Sequence, residues 1–303
     1  MFSAFSSFKK SQLAYLEKKN RVEQEYLYVI IKNNYPISPK QLDEYLSDEI
    51  APSEDNEIIE ESFNINENEY DECNVSFDLA FSVIDAEIMG QLGKKIDYNG
   101  AGSFIIQNNQ NSLKPNLGKA NIIVNNVDQS GRPIEAEAWL TSSCIHKVSN
   151  TMSNYAPPGY NPQYMLKSNE KLYTRGHLIA AMFGGIDGCW NAKTSNPQNI
   201  VTQTNWANKS SSPQNKGQCY YENFIRNVLI QGGVVRYVVR PLYSGQNLIP
   251  SGNQLMASWV FPNELDSKES SGSFNVFIPN VQKGWTINYG NGQASKVKKK
   301  KAS

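Results

Sequence analysis

The pattern of apolar and polar positions changes character twice along the chain. From about Lys9 to Asn33, Leu13, Leu16, Val22, Tyr26, Val29 and Ile30 recur at helical intervals among Lys, Glu and Gln, predicting one amphipathic helix. Ser38 and Pro39 supply an N-cap and a first-turn proline for a short second helix through Leu42, Tyr45, Leu46 and Ile50, which Ala51-Pro52 ends. Periodicity is then lost over residues 51–72. After Cys73 the composition shifts, and Val75 to Ile88 is apolar enough for either a packed helix or an edge strand. From Ile96 onward short β-branched runs bounded by Gly, Asn and Pro take over: GSFIIQ (102–107), ANIIVNNV (120–127) and IEAEAWL (134–140) read as strands, with DQSGRP (128–133) as a turn.

Residues 148–171, rich in Ser, Asn, Pro and Tyr, read as a long surface loop. Helical spacing returns from Gln218 to Ile230 through Tyr221, Phe224, Ile225, Val228 and Leu229, and Gly232 and Gly233 close that helix. VVRYVVRPLY (234–243) and SFNVFIPNV (273–281) read as strands with a polar hairpin or loop between them, and TINYGNGQ (286–293) as a last strand and turn. The expected fold is α+β, a mixed and largely antiparallel β core. Its expected divisions are a helical N-terminal extension (1–50), an acidic linker (51–74), the main domain (75–292) and a basic tail (293–303).

Charge sharpens these divisions. The 29 basic and 29 acidic residues cancel, yet thirteen acidic residues and no Lys or Arg stand between Gln41 and Glu72. The remainder is therefore net basic and ends in Lys296 and Lys298 to Lys301. The acidic run reads as a solvated linker, with a decoy over a basic nucleic-acid cleft as the alternative. The tail reads as a solvated end or as a non-specific phosphate contact. Cys73, Cys144, Cys189 and Cys219 show no CxxC spacing, so free thiols are expected. No secretory signal or membrane-length apolar run is seen, which points to the cytoplasm or to a leaderless export route, with no membrane partner.

The chemistry concentrates between Tyr173 and Asn208, in a chain with only two histidines. His177 is suited to activating water, Arg175 offers a fork matched to phosphate, and Gly176 between them gives the backbone a tight path or lets a phosphate approach. Magnesium keeps most of its water and accepts one or two protein oxygens, so the amide of Asn208 suffices as a ligand. Asn199 and Gln203 then hold the histidine loop and the metal's water, and Glu222 accepts hydrogen bonds from metal waters. No set of three or four ligands for zinc is evident, and His146 reads as structural.

TRGHL (174–178), NPQNIVTQTNWAN (196–208) and YYE (220–222) together resemble the DNA/RNA non-specific endonucleases of the ββα-metal, or His-Me finger, superfamily. The likeness is strongest to the group that competent bacteria use to take up DNA. It extends over roughly residues 95–290, including PLYSGQNLIPSGNQL and FNVFIPNVQKG. It implies a ββα-metal motif in the main domain, with His177 as general base and Asn208 as magnesium ligand. Arg175 would lie near the phosphate, Asn199 and Gln203 would be supporting residues, and Glu222 would contact the metal's waters. The implied reaction is Mg²⁺-dependent, with Mn²⁺ as a substitute: sequence-non-specific hydrolysis of DNA, and also RNA, to 5′-phosphate ends. One departure stands out, because the family motif opens with Asp where Thr174 stands here. Two alternatives stay open from sequence: an impaired nuclease fold that binds nucleic acid without cutting it, and a toxin-like effector restrained by an inhibitor or immunity protein. The oligomeric state is not legible.

Overall fold

The computed structural model describes residues 74–93, 95–107, 122–145, 155–184, 196–262 and 271–297. The two helices expected at the N-terminus, the acidic segment, His146, Cys73, Cys189 and Lys298 to Lys301 lie outside the described residues. The undecided stretch after Cys73 forms two short helices, α1 (Phe77–Phe81) and α2 (Ala86–Leu92). Each has a side-chain N-cap: Ser76 accepts from the Leu79 amide and Asp85 from the Ile88 amide. Gly93, at a φ of 88°, ends α2 in the left-handed conformation.

Among the described residues eleven further β elements and two α-helices frame the rest, preceded by β1 (Ile96–Tyr98) and β2 (Phe104–Ile106). They run β3 (Ile122–Val127), β4 (Pro133–Leu140), β5 (Tyr173–His177), β6 (Ile200–Thr204), α3 (Asn205–Lys209), β7 (Ser211–Ser212), β8 (Asn215–Lys216) and α4 (Gln218–Ile230). The chain then continues as β9 (Val234–Leu242), β10 (Gly252–Val260), β11 (Ser271–Pro279), and a final pair, β12 (Trp285–Ile287) with β13 (Ala294–Lys296). Seven strands make one sheet in the order β1-β2-β11-β10-β9-β4-β3, and every described pair is antiparallel. Strand pairing reaches Lys296, past residue 292.

The sheet's inner face follows from register. Ala136, Ala138 and Leu140 lie opposite Val239, Tyr237 and Val235, and Leu255 and Ala257 lie opposite Val239 and Tyr237. All are buried. Helix α4 contributes Tyr221, Ile225, Val228 and Leu229 to the same core, and burying each of its large aliphatic side chains stabilises the fold by about 1.5–3 kcal/mol. On β4 and β9 the alternate positions carry charge, where Arg236 pairs with Glu137 and Arg240 with Glu135.

The stretch between β9 and β11, expected as a polar hairpin or loop, holds the nine-residue strand β10 near the middle of the sheet. Its polar residues hid it. Asn253, Gln254 and Ser258 are buried together with Leu255, Met256 and Ala257, so both faces are covered and no polar-apolar alternation remains. Gln254 donates to Asn275 on β11 at 2.9 Å, and Asn253 donates to Gln218 on α4.

Candidate active site

Strands β5 and β6 pair in antiparallel register, Thr174 opposite Gln203, Gly176 opposite Val201 and His177 opposite Ile200. Helix α3 follows β6 directly because Thr204 caps it, its hydroxyl accepting from the Ala207 amide at 3.2 Å. This strand-strand-helix unit is anchored to the end of β11. Asn280 accepts from the Thr204 amide and donates to the Thr202 carbonyl, while Gln282 accepts from the Trp206 amide. Gly217 then turns the chain into α4, and only glycine fits, since a Cβ would lie 2.7 Å from the Trp206 carbonyl and 2.9 Å from those of Ala207 and Ser210.

The residues singled out in the sequence converge on this unit. His177 ends β5, half-buried, and its main-chain carbonyl accepts from Gln218 Nε2 at 2.6 Å. Asn199 is fully buried and grips the backbone just after the histidine: its Oδ1 accepts from the Ile179 amide and its Nδ2 donates to the Ile179 carbonyl, both at 3.0 Å. Asn208 lies on α3, half-buried, and its carboxamide makes no hydrogen bond with a described residue. Asn205, three residues earlier, is engaged with the Lys171 carbonyl.

Arg175 is held from the loop that precedes β5. Its Nε donates to the Tyr155 carbonyl and its guanidinium lies 4.7 Å from the centre of the Tyr160 ring. Thr174 donates to the Gln203 carbonyl at 3.1 Å and so ties β5 to β6.

Gly176 has a packing reason beyond the two the sequence suggested. A Cβ there would sit 2.1 Å from Gln203 Oε1 and 2.7 Å from Gln203 Cβ, so the glycine makes room for the glutamine side chain. Alanine at 176 is expected to destabilise the fold by about 1–3 kcal/mol, lowering Tm by about 2–4 °C per kcal/mol for a domain of this size. A thermal melt of Gly176→Ala that superimposes on wild type would contradict this packing.

Glu222 lies on α4 beneath the unit, 7% exposed, with the Gln218 amide donating to it at 2.8 Å. Burial pushes its carboxyl up to about 8, and the Gln218 hydrogen bond offsets only part of that shift. Lys216, half-buried and resting 5.0 Å from the centre of the Tyr220 ring, has its ammonium pushed down by burial. Cys219 is free, and burial together with the neighbouring Glu222 raises its thiol, so it stays protonated.

The donor chemistry suits a hard cation. The Asn208 amide and the Glu222 carboxyl are hard oxygen donors, while no group of three His, Cys, Asp or Glu able to hold a metal occurs among the described residues. The sequence reading missed Gln218 and Asn253. Gln218 stands four residues before Glu222 on one helix face, a spacing that could have marked it; Asn253 was hidden in the unrecognised β10. No helix among the described residues is long and apolar enough to cross a membrane.

A family model for DNA/RNA non-specific endonucleases matches residues 99–292. Among solved structures, the chain is similar to NucA from Streptococcus agalactiae with magnesium bound, at 29% identity and a TM-score of 0.62, covering 71% of this chain and all of that one. The same protein with no metal bound matches at 30% identity and a TM-score of 0.61, covering 72% of this chain and all of the other. With the strand-strand-helix unit and its oxygen donors in place, the chain belongs to the DNA/RNA non-specific endonuclease family, metal-dependent hydrolases of nucleic-acid phosphodiesters.

Proposed function

We propose that this protein cleaves DNA, and RNA as well, with magnesium as its cation and manganese as a substitute, leaving 5′-phosphate and 3′-hydroxyl ends. The observation that carries the reading is the state of the three asparagines around the unit. Asn199 and Asn205 are bound to backbone, whereas Asn208 presents a carboxamide that no described residue engages, from a helix packed against both the histidine strand and α4. Asn208 Oδ1 is the direct ligand in this reading, and Glu222 accepts from water around the ion. When bound, the cation stabilises negative charge on the phosphoryl and departing oxygens.

The chain's own groups do the rest. His177 takes the proton of the attacking water as its oxygen bonds to phosphorus and the bond to the 3′ oxygen breaks. Arg175, braced by Tyr155 and Tyr160, directs its remaining N–H groups to the phosphoryl oxygens. Asn199 and the Thr174 hydroxyl hold the two ends of β5 against β6 and the segment leading into it, so Thr174 supplies the ordering link where the family motif has Asp. Contacts to phosphate and sugar carry no base identity, which accounts for cleavage without sequence preference.

Digestion of supercoiled plasmid tests the reading. Wild type with Mg²⁺ should nick and then degrade the plasmid, and EDTA should stop it. Asn208→Ala should fold normally, because its carboxamide holds nothing in place, yet lose activity at Mg²⁺ concentrations that saturate wild type. Wild-type protein that leaves the plasmid intact, or Asn208→Ala that cuts with an unchanged Mg²⁺ requirement, would overturn it.

A further inference from the structure

The Gln218 side chain bridges the histidine strand, Gln203, Asn253 and Glu222 at once. Its Oε1 accepts from Asn253 Nδ2 at 2.9 Å and from Gln203 Nε2 at 3.1 Å. Its Nε2 faces Glu222 Oε1 at 2.8 Å, the His177 carbonyl at 2.6 Å and the Leu178 carbonyl at 3.2 Å. The oxygen thus meets only donors and the nitrogen only acceptors, so the amide has one orientation. One N–H serves the carboxyl of Glu222, and the other is shared between two consecutive carbonyls at the end of β5.

This fully buried amide joins four segments, β5, β6, β10 and α4. On the inner face of β10 the row Asn253, Leu255, Ala257, Trp259 has its single polar member at the point where α4 begins, and that residue donates to Gln218. The arrangement is not the one that stability alone selects. Gln203 and Asn253 both direct their nitrogen to Gln218, and each leaves its own buried amide oxygen with no hydrogen bond among the described residues. An apolar contact between helix and strand would avoid those two orphans.

We propose that Gln218 is the positioning residue that fixes the distance and angle between His177 and Glu222, with Asn253 and Gln203 orienting its amide. The proposal rests on the reading of His177 and Glu222 given above. Gln218 touches neither nucleic acid nor cation. It acts through the histidine strand and the carboxyl, so its loss alters turnover and the response to the ion more than the binding of substrate.

Gln218→Glu and Gln218→Met separate positioning from support. The glutamate keeps an oxygen for Gln203 and Asn253 but has no N–H for His177, Leu178 and Glu222, whereas methionine keeps the volume alone. With the full-length chain, folding checked by circular dichroism, and a fluorescent duplex as substrate, both folded variants should lose about 10–100-fold in kcat. KM for the duplex should stay within about twofold of wild type, and the Mg²⁺ concentration for half-maximal rate should rise. Folded variants with wild-type kcat and Mg²⁺ response would overturn the proposal.

If neither variant folds, Asn253→Ala decides, since it keeps Gln218 and removes one of its anchors. A fall in kcat at constant KM supports positioning, and a wild-type kcat overturns it. A wild-type chain with no Mg²⁺-dependent cleavage would overturn the functional reading and this proposal together, whereas active wild type with unaffected variants would remove this proposal alone.

Discussion

Alanine in place of His177 is expected to lower kcat by about 10²–10⁴-fold, the range that loss of a positioned general base produces, with the protein still folded. The structure explains why the two effects separate. Gln218 holds the carbonyl of residue 177, and the pairing with Ile200 is likewise made by the backbone, so these two ties on β5 do not depend on the ring. Removing the imidazole leaves those bonds and the grip of Asn199 on Ile179 in place. The KM for a duplex substrate should therefore change little. Imidazole added to the His177→Ala protein should restore part of the rate, increasingly so as pH rises and the free base predominates. A folded variant with kcat within a few-fold of wild type would exclude His177 as the base, and a variant that fails to fold would show that the ring has a structural duty.

Much of this was legible in the residues. Helix α4 was marked by its apolar spacing and its closing glycines, and β4, β9 and β11 by β-branched runs between turn residues. Three things were not legible, each for a physical reason. Strand β10 is covered on both faces and carries buried amides, so it lacks the alternation by which a half-exposed strand is recognised. The stretch from Val75 to Ile88 is one apolar run in sequence but two short helices in space, and what divides it is local capping by Ser76 and Asp85. Gly176 reads from sequence as giving the backbone a tight path or letting a phosphate approach, and the close approach of Gln203 that it also permits was not legible, because that contact depends on cross-strand register. Pattern reveals which faces are apolar. It does not reveal which buried polar groups will meet, and the hub on Gln218 consists of such meetings.

The same burial that hides the hub predicts how the site responds to pH. In the metal-free protein the Glu222 carboxyl is pushed up to about 8, from an ordinary value near 4.5 in the unfolded chain. The native state thus binds the proton more tightly than the unfolded state does. The stability this confers is fully present below about 4.5 and is lost as pH rises towards about 8, beyond which the contribution is flat. In EDTA, then, Tm should fall between pH 6 and pH 8. A cation beside the carboxyl reverses the preference, because it favours the charged form, and its binding releases the proton. Mg²⁺ affinity should accordingly rise with pH, by at most about tenfold per unit for one proton displaced, and level off above about 8. Glu222→Gln should flatten the profile, since its amide does not titrate. Calorimetric titration of Mg²⁺ at several pH values, in buffers of different ionisation enthalpy, reads both the affinity and the proton released. A pH-independent affinity in wild type, with no proton uptake by the buffer, would mean that Glu222 does not meet the ion's hydration sphere. Asn208 would then hold magnesium without its help.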